Sequence, residues 1–570
     1  MPSTEIARRV AQARDQAGVA QTIDVDRYRN LLAMFGEAVA RFAERPAFTS
    51  LGRTLTFAEL DRYSAGFAAW LQSQPDLKPG DRIALQLPNI VQYPVALFGA
   101  LRAGLVVVNT NPLYSAAEAE HQFNDAGVKA LVVLANVAHV AASILPRTGV
   151  KVVIVTEVAD LHPPLRRAVI NFAARRIKKM VPPFDIPGAV RYTDVIRQGD
   201  PGQLRQADPE PNELAVLQYT GGTTGVAKGA MLSHRNLMAN TLQGEEMFAT
   251  YGIRPGQETF IAPLPLYHIY SFILSMIMLT SGNHSVLIPN PRDLNAMVKD
   301  MKKWPFTGLS GLNTLFVALC NHEGFRALDF SHLKVTISGG MALTSGAARR
   351  WQECTGQPVF EGYGLTEASP VVSVNPGNNN QLGTIGIALS STEVRLIDDD
   401  GNDVPINEPG ELCVRGPQVM LGYWNRDDET RKVLDAEGWL KTGDIAVVRE
   451  DGYLKIVDRK KDLITVSGFK VFPGEVEDVI SRHPGIVECA VIGVPDEHSG
   501  EVVKVFVVAR DPSLTEAAVR EFARQELTGY KVPKMVEFRS ELPKSNVGKV
   551  LRRELREEEA RKSAAGQGSA

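Results

Sequence analysis

The residues able to do chemistry gather in three short stretches. In YTGGTTGVAKGAM, residues 219–231, three glycines, three threonines and a lysine fall within ten positions, directly after the apolar run LAVLQ. Glycines let successive backbone N–H groups converge on an anion, threonine hydroxyls add donors, and Lys228 supplies a point charge. The stretch therefore reads as a phosphate-binding loop, the alternative being a flexible Gly/Thr turn. It departs from the G-x-x-x-x-G-K-[ST] pattern, because Lys228 stands between Ala227 and Gly229, and this disfavours a P-loop kinase or GTPase.

EGYGLTE, residues 361–367, sets the ring of Tyr363, the hydroxyl of Thr366 and the carboxylate of Glu367 on one short segment. A purine can stack on the ring while the carboxylate holds a magnesium ion beside phosphate oxygens. The bland alternative is a solvated loop glutamate. PKSNVGK, residues 543–549, ends on Lys549 in a polar turn whose Asn546 and Gly548 shape backbone. By residue type alone such a lysine is a solvated surface charge.

These stretches need elements to hold them. Between about 80 and 340, β-rich runs alternate with helical stretches: RIALQL at 82–87, ALVVLA at 130–135, KVVIVT at 151–156 and KVTISGG at 334–340. The rhythm predicts an α/β fold of parallel sheets covered by helices. From about 383 the texture changes to short strands broken by turns, as in EVRLIDDDGNDVPINEPGELCVRG, which predicts a β-rich subdomain over about 383–457. After DGYLKIVDRKKDLI a compact α/β unit follows, with ECAVIGV, VVKVFVVA, the helix-like SLTEAAVREFARQEL, and MVEFRSEL. The charged cluster at 458–462 marks the boundary between a large unit, 1–460, and a small one, 461–570. The tail ARKSAAGQGSA is expected to be disordered.

Composition bounds the function. A chain of 570 residues exceeds one core, and 44% hydrophobic with 22% charged residues describes a globular protein. A net charge of -3 argues against nucleic-acid binding. Cys320, Cys354, Cys413 and Cys489 are scattered, without zinc-ligand spacing, which fits a reducing cytosol. The first twenty residues carry charges throughout and lack a signal-peptide core, so a cytoplasmic location is expected. The longest apolar run, IYSFILSMIMLT at 269–280, falls short of the roughly 20 residues needed to span a bilayer and reads as a buried helix or pocket wall.

Taken in order, YTGGTTGVAKG, EGYGLTE, WLKTGD at 439–444, DRKKDLI at 458–464 and PKSNVGK resemble the motif series of adenylate-forming enzymes, over about residues 30–560. The stretch GWLKTGDIAVVREDGYLKIVDRKKDLITVSGFKVFPGEVEDV is similar to the signature region of bacterial long-chain fatty-acid:CoA ligases. The resemblance implies attack of a fatty-acid carboxylate on ATP to give acyl-AMP and pyrophosphate, then transfer to coenzyme A, with Mg²⁺ as cofactor. It places Thr220, Gly221, Gly222, Thr223, Thr224 and Lys228 on the β- and γ-phosphates. Gly339, Gly340, Glu361, Gly362 and Tyr363 would surround the adenine, Thr366 would meet the α-phosphate, and Glu367 would hold Mg²⁺. Asp444, with Arg459 behind it, would accept from the ribose hydroxyls.

By the same resemblance the C-terminal domain turns about a hinge at Lys461. It brings Lys549 to the reacting carboxylate for the first step, and Ser467, Gly468 and Phe469 to the pantetheine for the second. His268 would lie by the carboxylate, and Phe272 would gate the acyl tunnel. Either could equally be a packed core residue. PLPLYHIYSFILSMIM, residues 263–278, has no Asp or Glu, so the acid is expected to be apolar beyond its carboxyl. Delivery to a carrier-protein thiol, luciferase-like oxidation of the adenylate, and an inactive acyl or nucleotide carrier are the alternatives. The C-terminal GSA instead of SKL, the lack of a carrier segment, and the intact Lys228, Glu367, Asp444 and Lys549 weigh against them.

One motif stands apart. LRRAVINFAARRIKKM, residues 165–180, carries six basic and no acidic residues, interleaved with Val169, Ile170, Phe172 and Ile177. As a helix it is either a peripheral contact for an anionic membrane or an ordinary solvated basic helix. A homodimer is also compatible with the resemblance.

Overall fold

A computed structural model describes residues 2–220, 227–496, 498–544 and 550–567. The alternation of strands and helices resolves into two large sheets. One has seven strands, in the order Val190–Arg191, Val152–Thr156, Val128–Leu134, Arg82–Gln86, Val106–Asn109, Leu214–Tyr219, Gly229–Ser233. All neighbours are parallel except the last pair, an antiparallel hairpin that brackets the candidate phosphate loop. The runs near 82, 130 and 152 belong to this sheet, whereas the run near 334 forms Val335–Ser338 in a second sheet of nine strands.

Continuous apolar runs suit strands covered on both faces. Val106–Asn109 is buried throughout, and the helix Gln92–Arg102 is buried at every residue. Several helix starts are fixed locally: Thr56 with Glu59 and Ser115 with Glu118 form complete capping boxes. The apolar run near 269 is a buried helix, Ile269–Thr280, and among the described residues no helix is long and apolar enough to cross a membrane.

The hairpin-rich segment forms a four-stranded antiparallel sheet, Glu393–Ile397, Gly410–Arg415, Leu440–Val448 and Leu454–Arg459. Gly401, at φ +85°, makes the DDG turn in a region that side chains rarely adopt. A smaller C-terminal domain follows, built on a five-stranded sheet around the long hairpin Ile486–Asp496 and Gly500–Ala509.

The tail departs from expectation. A helix, Arg552–Gln567, occupies most of the segment expected to be disordered. The part of this helix up to Lys562 is held by partners distant in sequence. Leu555 is fully buried against the C-terminal sheet, and the buried Lys504 pairs with Glu537 at 2.7 Å and with Glu559 at 2.6 Å. Lys562 adds bridges to Glu537, Glu558 and Glu559. A low-complexity composition carries no trace of such partners.

Candidate active site

Strand Phe360–Gly364 runs parallel to Val335–Ser338, with Ser338 opposite Glu361. This register brings Gly339 and Gly340 beside Glu361, Gly362 and Tyr363 at the carboxyl ends of neighbouring strands, where open α/β sheets bind ligands. The Glu361 carboxylate accepts a 2.9 Å hydrogen bond from Leu343 N and so ties the 339–343 loop to the strand. Burial pushes its pKa up to about 7, against the pull of that one bond. A side chain at Gly364 would put its Cβ 2.2 Å from Pro370 O, so the turn of EGYGLTE admits only glycine there.

The Tyr363 phenol donates to Asp444 Oδ2 at 2.5 Å. Burial, then the neighbouring Asp444, drives the phenol pKa well above its usual value, so it remains the donor. Asp444 sits opposite Arg459 in the Leu440–Val448 and Leu454–Arg459 pair, and the guanidinium Nε lies 3.5 Å from its other oxygen. Thus WLKTGD and DRKKDLI, separate in sequence, meet by strand register and present one carboxylate beside an aromatic ring.

Glu367, on the short turn Thr366–Ala368, accepts from the Tyr423 hydroxyl at Oε1, 2.6 Å. Its Oε2 has no hydrogen-bond partner among the described residues. Lys228 lies 4.6 Å from the centre of the Tyr423 ring and pairs with Glu429 at 2.9 Å. Lys432 and Lys228 hold the Glu429 carboxylate down to about 2. Tyr423 and Glu429 carry no signal in the sequence, since each reaches its partner across a long separation. Thr220 N donates to Lys228 O at 2.9 Å, joining the two ends of the candidate phosphate loop. Gly221, Gly222, Thr223 and Thr224 within that loop, and Lys549, lie outside the described residues.

Among the described residues no group of three or more His, Cys, Asp or Glu side chains could hold a metal ion. The arrangement suits Mg²⁺ all the same, because that ion is commonly held by one or two carboxylates with substrate phosphates and water completing the shell. Glu367, with one oxygen anchored by Tyr423 and the other directed to no described partner, meets that requirement.

These groups line a single cleft of ≈ 2660 Å³, which also takes in Met247, Phe248, Leu274, Ile277, Val374 and Leu389. The six apolar residues belong to one packed cluster, so the apolar wall is continuous. His268 caps helix Ile269–Thr280, its Nδ1 accepting from Tyr270 N, and it lines the cleft. Along that helix Tyr270, Leu274 and Ile277 share the cleft face. Phe272, expected as the acyl gate, is not on that face in this structure: at 3.6 residues per turn it falls on the opposite side, fully buried in the main core.

Lys461 also lines the cleft, its pKa lowered by burial and by the adjacent Arg459. Next to it Asp462 accepts from Arg556 at 2.8 Å and from Arg552 at 3.3 Å, and Arg552 forms a 2.5 Å pair with Glu477. Arg552 went unnoticed in the sequence because it reads as one charge in a basic run. Ser467, Gly468 and Phe469 lie elsewhere. Ser467 and Gly468 make the turn between Ile464–Val466 and Phe469–Val471, with Ser467 at φ +49°, and Phe469 opens the second strand, exposed and stacked on Tyr530 at 4.9 Å.

Two predictions follow from this geometry. Tyr423→Phe frees Glu367 Oε1, so ATP–pyrophosphate exchange should fall about tenfold or more and need more Mg²⁺ to saturate, with little change in thermal midpoint. An unchanged Mg²⁺ titration would mean that the hydroxyl does not position Glu367. For Glu361 the folded-state pKa lies above the unfolded one. Its contribution to stability is therefore full below about 4.5 and is lost as pH rises through about 7. Glu361→Gln keeps an acceptor for Leu343 N and should erase the part of the fall in unfolding free energy between those two pH values that wild type shows, roughly 3 kcal/mol, read by denaturant titration at each pH. Parallel profiles for the two proteins would refute the assignment.

Comparison with known proteins agrees with this geometry. Residues 35–424 match the model of the AMP-binding enzyme family, and residues 475–549 match the AMP-binding enzyme C-terminal domain. A long-chain-fatty-acid–CoA ligase of Escherichia coli O6:H1 (strain CFT073) is 52% identical over 96% of this chain and 97% of its own. The long-chain-fatty-acid–CoA ligase of Bacillus subtilis (strain 168) is 37% identical over 93% of this chain and 95% of its own. The crystal structure of ATP-bound MatB from Rhodopseudomonas palustris superposes with a TM-score of 0.80 at 29% identity, covering 93% of this chain and 99% of that one. With a family model spanning most of its length and a relative at half identity over nearly all of it, the chain belongs to the AMP-binding enzyme family.

Proposed function

We propose that the chain is an ATP-dependent long-chain fatty-acid:CoA ligase. A long-chain carboxylate attacks the α-phosphorus of ATP, expelling pyrophosphate and leaving acyl-AMP. The thiol of coenzyme A then attacks the acyl carbon, giving acyl-CoA and releasing AMP. The observation that carries the reading is the single cleft joining the Tyr363, Asp444 and Arg459 cluster to a continuous apolar wall. An amino-acid substrate would need an acidic partner for its ammonium, and the wall supplies none.

Both reactants of the first step are anions, so positioning and charge neutralisation outweigh acid–base work. Asp444 accepts from the ribose hydroxyls, Tyr363 stacks on the adenine, and Gly339, Gly340 and Gly362 leave room for the ring. Lys228 exchanges its Glu429 partner for phosphate oxygens, with Thr220, Gly221, Gly222, Thr223 and Thr224 cradling the same group. Thr366 donates to the α-phosphate, and His268 orients the fatty carboxylate. Glu367 would hold Mg²⁺, which when bound supplies charge neutralisation at the phosphates. We place the boundary between the two moving parts at 460/461, with Lys461 as the hinge. Turning there presents Lys549 for adenylation and then Ser467, Gly468 and Phe469 to the pantetheine.

The test is turnover of the purified protein with ATP, Mg²⁺ and fatty acids from short to long chain, with and without CoA. AMP and thioester should form together and favour long chains. Pyrophosphate release with no CoA-dependent thioester would instead indicate a carrier-protein acceptor. In the same assay Lys549→Ala should lower acyl-AMP formation by about a hundredfold or more while sparing thioester formation from supplied acyl-AMP. Equal loss of both half-reactions would make Lys549 a structural lysine.

A further inference from the structure

The segment 164–180 is built to hold an apolar stripe outward. Helix Pro164–Phe172 leaves Leu165 80%, Val169 60% and Phe172 60% exposed, which at helical spacing is one face. A regular α-helix would next bring Arg176 under Phe172. Instead the chain makes a π turn over Ala173–Ile177, with Lys178 N donating to Ala173 O, and the wider turn brings Ile177, 70% exposed, onto the same stripe. Met180, 49% exposed, ends it.

The opposite face is pinned. The buried Asn171 donates to Asp160 Oδ1 and accepts from Ala159 N, both at 3.1 Å, and Arg175 forms a 2.6 Å pair with Glu157. Ala174 is buried beneath the π turn. The helix is thus anchored by its polar underside while its apolar residues face solvent, the reverse of the usual surface helix. Arg166, Arg176, Lys178 and Lys179 flank the stripe and are exposed, and no acidic residue occurs between 165 and 180.

We propose that this face docks the protein on an anionic lipid bilayer, with Leu165, Val169, Phe172 and Ile177 entering the acyl boundary and the flanking basic side chains meeting lipid phosphates. Charge complementarity selects the occupant: a second copy of this segment would set like charges against one another, whereas an anionic surface pairs every one of them. The choice of a membrane also rests on the ligase reading, because a long-chain acid partitions into lipid and is captured where it resides.

The experiment is flotation of the full chain with vesicles of phosphatidylcholine alone or mixed with phosphatidylglycerol. Wild type should float with the mixed vesicles and be released by salt. Leu165→Ser/Val169→Ser/Phe172→Ser/Ile177→Ser and Arg166→Glu/Arg176→Glu/Lys178→Glu/Lys179→Glu, the latter leaving the Arg175 pair intact, should each bind about tenfold more weakly or less. Both variants should keep the wild-type thermal midpoint and wild-type adenylation of a short-chain acid without vesicles. Flotation of either variant like wild type, equal binding to neutral vesicles, or a wild-type dimer that the serine variant converts to monomer would overturn the proposal. Flotation is read without turnover, so its outcome and that of the ligase assay separate the two readings.

Discussion

One hydrogen bond, from the Tyr363 phenol to the Asp444 carboxylate, ties together the parts on which the site depends. Tyr363 ends a strand of the nine-stranded sheet and Asp444 lies in the four-stranded antiparallel one. The cleft exists because these two sheets and the hairpin of the seven-stranded sheet converge, and the bond spans that convergence. A buried phenol without this acceptor would lose a partner and a buried carboxylate would lose a donor, at a cost of about 1–3 kcal/mol for each unsatisfied group. The same pair fixes the distance between an aromatic face and a carboxylate, the spacing on which the proposed nucleoside contacts rest.

The other charged groups of the site are held with unequal strength, and the inequality has a use. The Lys228 and Glu429 pair is open to solvent on the Glu429 side. An exposed ion pair of this kind contributes little net stability, so in the proposed reading a polyphosphate displaces Glu429 at little cost. Glu367 is different: its partner is the well-packed Tyr423, whose backbone N–H in turn donates to Thr430 Oγ1 at 2.9 Å. One oxygen stays fixed while the other is available.

What could be read in advance divides along the same physical line. The strands near 82, 130, 152 and 335 were legible because apolar runs bounded by turns report burial directly. Tyr363, Glu367 and Asp444 stand out in the sequence because each lies in a compact motif whose spacing is local, and the structure brings them to one cleft. Tyr423, Glu429, Arg552 and Glu477 do not, since their roles come from partners in other elements. Phe272 shows the limit within a single helix: an apolar run hydrophobic on all sides does not reveal which face meets the cleft. The basic segment near 170 was visible by composition, but the π turn that aligns Ile177 with Phe172 depends on Asn171 and Ala174 finding buried partners. The partners of the C-terminal helix are hidden for the same reason, since Lys504 and Glu537 meet Glu559 and Lys562 from distant strands.

The proposed hinge at Lys461 sorts the surrounding contacts into those a rotation would carry and those it would break. Asp462, Glu477, Arg552 and Arg556 all lie on the C-terminal side, so their buried network would travel as one body. Lys460, with Glu411 and Asp399, stays on the other side. Crossing the hinge are the Gly474 N hydrogen bond to Asp458 at 2.6 Å, the long 3.7 Å contact of Arg552 with Asp458, and the exposed Lys470 and Asp399 pair. Burial raises the pKa of Asp458, so its carboxylate is under-solvated where it stands and regains water when those contacts part. Most of the buried ion pairs therefore fall within each body, and what crosses between them is one charge-assisted hydrogen bond, Gly474 N to Asp458, with one long and one exposed ionic contact. This is the distribution a domain needs if it is to present two different faces to one site during a single turnover.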